Sequence, residues 1–309
     1  MSESQIDPQG EAPNEPTAPA AEKHLPFPGI GGSVLLLIIL IVANILSVIV
    51  ALPFLGLDGL MNTADEGMPI WLVVFSYFFS FGGTVFIGYK ITKERFNDVF
   101  LFKPFSYLIL IPLVLAMPGL WVLVFQGMAG ITSFMPISEQ FIEMMQQLFE
   151  ENMLAALFVG VFGAAFLEEM LFRGIMLRGM LRRMSPTAAI IISSIFFGVA
   201  HMNPWQFFSA FIIGSLAGWI YYRSRSIWPC IILHGANNLL VGFFGEQIFS
   251  MLGYPADVLE STVVPFMPIW VVAIGAAVFA AGIYGLNQVL HPPISYHDAE
   301  EDEVTQAEF

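Results

Sequence analysis

An all-α integral membrane protein, with about eight transmembrane helices in one bundle and both termini cytoplasmic, is the fold class this sequence predicts. Three observations predict it. Hydrophobic residues make up 57% of the 309 and charged residues only 12%, about half the charged share of soluble domains. The apolar residues gather into runs long enough to span a bilayer, which takes roughly 20 residues each. All eleven Lys and Arg residues fall at connections on one side of the resulting alternation.

The same numbers exclude other classes. A soluble protein of this size could not cover so much apolar surface. The net charge of −14 has the wrong sign for phosphate recognition, so no nucleic-acid partner is expected. The one cysteine, Cys230, allows no internal disulfide and lies in an apolar run, where it reads as buried packing.

Taken in order, residues 1–33 form an acidic, Pro-rich tail expected to be disordered, with no cleavable leader. Residues 34–290 form the membrane domain. Its predicted spans are 34–52, 69–89, 105–126, 153–177, 186–202, 205–222, 227–245 and 266–290. Residues 291–309 are a second acidic tail.

Lys23 precedes span one; Lys90, Lys93, Arg95 and Lys103 follow span two. Arg173, Arg178, Arg182 and Arg183 close span four, and Arg223 and Arg225 close span six. The opposite connections carry acids such as Asp58, Asp65, Glu66, Glu139 and Glu143. The positive side is the cytoplasm, which places the protein in the cell membrane, multi-pass, with both termini inside. Between spans three and four, 138–151 reads SEQFIEMMQQLFEE. Its apolar stripe predicts an amphipathic helix lying on the outer membrane surface and packed on the bundle. In span six, Gly214 and Gly218 form a small-residue step suited to helix packing.

Ionisable groups inside a bilayer are costly and need a reason. Four stand out in the motif core, 153–245: Glu168 and Glu169 in AAFLEEMLFRG, His201 at the end of IIISSIFFGVAH, and His234 in CIILHGANN. Glu169 and Arg173 have the i, i+4 spacing of a helical ion pair. Glu168 points about 100° away from that pair. Ser194, Phe197 and His201 share one helix face, and His234 and Asn238 another. Glu168 and His201 each lie 15 residues from a helix end, about 22 Å, and so at one depth. By the same count His234 is shallower, unless the chain re-enters the membrane near Pro229.

A glutamate in a low-dielectric site can take a proton from water as a general base. One imidazole can hold that water, while another and an Asn amide can donate to a developing oxyanion. That set describes amide hydrolysis without a covalent intermediate. Zinc held by Glu168, His201 and His234 is the alternative, although no HExxH motif accompanies it. Buried Glu and His chains also serve ion or proton-coupled transporters, and a non-catalytic scaffold with a relic site would carry the same residues.

EExxxR at Glu168, Glu169 and Arg173, FxxxH at Phe197 and His201, and HxxxN at His234 and Asn238 occur in this order on separate helices. In this the chain resembles the CPBP intramembrane protease family. That family is the bacterial branch of the type II CAAX prenyl endopeptidases, also called the Abi family. The resemblance implies an eight-helix intramembrane endopeptidase with a cavity reached from the cytoplasm or the lipid. It implies Glu168 as the water-activating base assisted by His201, His234 and Asn238 as the oxyanion hole, and Glu169 with Arg173 as architecture. A metal-free mechanism is the favoured form, with zinc the cofactor of the alternative. The expected partners are membrane lipid and a peptide or membrane-protein substrate.

Overall fold

The computed structural model describes residues 27–66, 69–151, 157–255, 258 and 260–290. Among them the chain is helical and holds no strand. The disorder expected of the two tails falls on 1–26 and 291–309, outside the described residues, as does the start of span four at 153–156.

Ten helices are used below. They are α1 (Ile30–Glu66, bent at Gly56), α2 (Ile70–Thr92), α3 (Phe96–Phe100), α4 (Tyr107–Phe134) and α5 (Glu139–Glu151). Then come α6 (157–181), α7 (Pro186–Ala200), α8 (Pro204–Ser224), α9 (Trp228–Met251) and α10 (Ile269–Val289).

Among the described residues, four helical segments are long and apolar enough to cross a membrane: Ile30–Gly56, Ile70–Thr92, Tyr107–Phe134 and Ile269–Val289. These match predicted spans one, two, three and eight. The other four predicted spans fall on α6 to α9, whose character is different. Helix α7, Pro186–Ala200, is shorter than a full span. From 168 to 181 helix α6 is enclosed, with every residue buried, whereas Phe158, Phe162 and Phe166 before that stretch are exposed. It packs against α2, α3, α7, α8 and α9. A helix surrounded by other helices can carry Glu, Arg and His, because neighbouring helices rather than lipid meet its side chains. By contrast, α1 turns Val34, Ile38, Val42, Ile45 and Ile49 outward.

Local chemistry sets the helix ends around the core. The Ser185 hydroxyl accepts from the Ala188 N–H and Pro186 opens α7. The Asn203 side chain accepts from the Gln206 N–H at 2.7 Å and Pro204 opens α8. Between these helices Met202 takes a left-handed backbone, φ 54°, which folds α7 and α8 into a hairpin. Gly214 and Gly218 face α7, against Phe197 and Ile190, the packing role expected of them. Helices α4 and α10 approach closely: a Cβ on Gly119 would lie 2.4 Å from the Gly275 carbonyl oxygen, and one on Gly282 would lie 2.5 Å from the Ala116 Cβ. The amphipathic α5 docks through Phe141, whose ring lies 5.6 Å from that of Trp205.

Candidate active site

Helix α6 supplies both carboxylates. Its course is unusual: Leu157–Ala164 and Met170–Leu177 are wound as π-helix, and the α-helical turn Ala165–Glu169 lies between them. Such turns are rare and concentrate at functional sites. Glu168 and Glu169 are buried, and each keeps one oxygen, Oε2, without a hydrogen-bond partner among the described residues.

Arg173 lies one turn below and is only 1% exposed. One arm of its guanidinium donates to Glu169 Oε1 at 2.8 Å and the other to the Gly214 carbonyl of α8 at 3.0 Å. Its charge also sits 4.7 Å from the centre of the Phe197 ring. Sequence alone grouped Arg173 with the basic residues at a membrane rim. The structure corrects that: this arginine is an internal charge, held because Glu169, Gly214 and Phe197 meet it on three sides.

His234 of α9 joins the two carboxylates. Its Nδ1 lies 2.9 Å from Glu169 Oε1, and its Nε2 lies 4.0 Å from Glu168 Oε2. The predicted shallow position of His234 is therefore replaced by one level with both glutamates. Around the start of α9, Ser226, Ile227 and Cys230 are fully buried. Ser226 and Ile227 bond to the carbonyls of Lys103 and Leu101, so α9 starts inside the bundle. The π-helical turns of α6 also wind more residues into a given length than the count assumed.

Glu169 is consequently more than one half of an ion pair. Its Oε1 receives both Arg173 and His234, so the charge that steadies Arg173 also orients the imidazole. Phe197 is the hub for the rest. The rings of His201 and His234 meet it edge-on, with centroids 5.1 and 5.5 Å away. His201, at the end of α7, bonds through Nδ1 to the Phe197 carbonyl at 2.9 Å, which leaves Nε2 as its outward atom. Asn238 lies one turn beyond His234. Its amide donates to the Gly160 carbonyl in the first π-helical turn of α6 at 2.7 Å, and its oxygen accepts from Asn237. One residue of this site went unseen in the sequence. Tyr77 of α2 donates its hydroxyl to Glu168 Oε1 at 3.0 Å.

Among the described residues, no three His, Cys, Asp or Glu side chains gather as a metal-binding set. Glu168, His201 and His234 do not form the three-ligand cradle that zinc takes.

The buried polar cluster thus lies on the three helices that carry the three motifs. Residues 150–240 match the type II CAAX prenyl endopeptidase Rce1-like family. The Rce1-like segment takes in Glu168, Glu169, Arg173, Phe197, His201, His234 and Asn238 and covers under a third of the chain. The family is one of endopeptidases, so the match points to a protease in a membrane-helix setting. Neither curated proteins nor solved structures provide a match to the chain. Tyr77 lies outside the Rce1-like segment.

Proposed function

We propose that this protein is an intramembrane endopeptidase that hydrolyses peptide bonds with a water activated by Glu168. The observation that carries this reading is the placement of His234, with Nδ1 held by Glu169 and Nε2 4.0 Å from Glu168 Oε2. Two carboxyls, one guanidinium and one imidazole share the buried site.

Glu168 takes a proton from water, and the oxygen attacks the scissile carbonyl carbon. The C–N bond then breaks, and Glu168 returns the proton to the leaving amine. When protonated, His234 has an Nε2–H to offer the oxyanion, because Nδ1–H is already directed at Glu169. The remaining N–H of Asn238 is a second donor, and His201 Nε2 assists in holding the water. Phe197 keeps the two imidazoles apart at fixed angles. Glu168, His201 and His234 are not gathered as a three-ligand set, and no step is routed through a metal. The substrate is a peptide or membrane protein that reaches the site from the lipid or the cytoplasm. The chain crosses the plasma membrane eight times with both termini inside, and the motif core 153–245 is its working part.

The test is proteolysis in liposomes on a quenched peptide library, with and without a strong chelator. Wild type is expected to cleave and to survive the chelator, while Glu168→Ala and His234→Ala remain folded and inactive. Loss on chelation with rescue by zinc overturns the metal-free step. Flux without cleavage overturns the protease reading in favour of a transporter.

A further inference from the structure

Among the described hydrogen-bond and ion-pair partners of the buried carboxylates, Tyr77 is the one from outside the three motif helices. Its hydroxyl donates to Glu168 Oε1 at 3.0 Å, across 91 positions of sequence. The other oxygen, Oε2, carries no hydrogen bond and is the one 4.0 Å from His234 Nε2. The two oxygens of Glu168 are therefore unequal: one is tethered, and the other faces the imidazole.

The tyrosine is itself held. Its ring stacks on Phe81, with centroids 4.8 Å apart and planes 23° apart, and it meets Phe78 edge-on at 5.9 Å. Tyr77 is the last residue before the π-helical turn Phe78–Gly82 of α2, and that turn packs on the Ala165–Glu169 turn of α6. A π turn placed there re-aims the helix beside the carboxylate.

We propose that Tyr77 is a positioning residue for the reaction: it pins Glu168 Oε1, so that Oε2 alone acts as the proton acceptor. The proposal rests on the protease reading above and goes beyond it, because the residue lies outside the family match and none of the three motifs contains it. A carboxylate free to rotate would present either oxygen at varying angles. One hydrogen bond from a stacked ring removes that freedom, and small losses of alignment are costly in catalysis.

Tyr77→Phe tests this, since it keeps the stack on Phe81 and removes only the hydroxyl. Two readouts are taken on the full-length protein in liposomes. The first is infrared difference spectroscopy of the carboxylate stretch, with the Glu168 band assigned by its loss in Glu168→Gln. That band is expected to shift in Tyr77→Phe. A band that does not move overturns the proposal, whether or not a substrate is known. The second is peptide cleavage. There kcat is expected to fall about tenfold to a hundredfold, with KM changing less than twofold. In the Glu168→Gln background, Tyr77→Phe is expected to have no further effect. A wild-type kcat in Tyr77→Phe means that the side chain only fills space, and overturns the positioning role. A shifted band with no cleavage by any form, wild type included, counts against the protease reading and leaves the tether to Glu168 standing.

Discussion

Arg173→Met tests whether the internal guanidinium holds the site together. Methionine is unbranched and fills space readily, so the lost interactions dominate over lost volume. Removing the charge leaves the Glu169 carboxylate buried without its cation, and breaking such a pair costs about 3–5 kcal/mol. It also frees the Gly214 carbonyl, whose loss of a partner costs about 1–3 kcal/mol. The two figures overlap, because one guanidinium serves both groups. His234 still meets Glu169 and limits the damage. The expected loss is about 4 kcal/mol, measured by reversible unfolding in mixed micelles. Arg173→Met combined with Glu169→Gln removes the stranded charge while keeping an oxygen for His234. That double variant is expected to recover about half of the loss, about 2 kcal/mol. A single variant that loses less than about 1 kcal/mol would refute the reasoning. So would a double variant as unstable as the single one.

Glu169→Gln is expected to lower kcat on the order of a hundredfold, because the neutral amide oxygen that replaces Oε1 no longer offsets the Arg173 charge or steadies a protonated His234; an unchanged kcat would remove Glu169 from the mechanism. Glu94, in the connection after α2, gives a pH test. Burial pushes its carboxyl up, but the hydrogen bond and charge of Arg178, joined by Arg182, outweigh this and hold it below its usual 4.5. A lowered carboxyl stabilises the fold above its unfolded value and loses that effect as the pH falls through the folded one. Wild type should therefore exceed Glu94→Gln in stability at neutral pH, with the gap closing below about pH 4.5; a gap independent of pH would contradict the pairing. Gly119→Ala drives a methyl against the Gly275 carbonyl. It should cost about 1–3 kcal/mol in the same unfolding assay, and a neutral result would mean that α4 and α10 can part freely.

Much of the site was legible because polar residues in an apolar run must have partners. Glu168, Glu169, His201 and His234 announce themselves by their cost in the membrane, and helical spacing pairs Glu169 with Arg173, the ion pair the structure holds. Spacing could not show that Glu169 Oε1 also receives His234, since that contact depends on how α9 enters the bundle. Tyr77 gave no signal at all. A tyrosine in an apolar helix is an ordinary residue, and only the fold brings it to Glu168. The span count fared unevenly for a related reason. Helices α1, α2, α4 and α10 read clearly because lipid-facing surface is uniformly apolar. Helices α6 to α9 read less clearly because their inner faces meet other helices, which allows charges, prolines and short lengths.

The two π-helical turns of α6 bear on how this chain can change length. A π-helical turn holds an extra residue relative to an α-helical one, so it acts as slack in the register. Deleting one residue within 170–177 can be absorbed by tightening that turn to α-helix, with Glu168 and Glu169 still aimed as before. Deleting one within 165–169 has no such slack and swings the carboxylates by about 100° relative to the helix on one side. Insertions and deletions should therefore be tolerated on either side of the glutamates and refused between them. The helix carries its chemistry on a stiff segment between two adjustable ones.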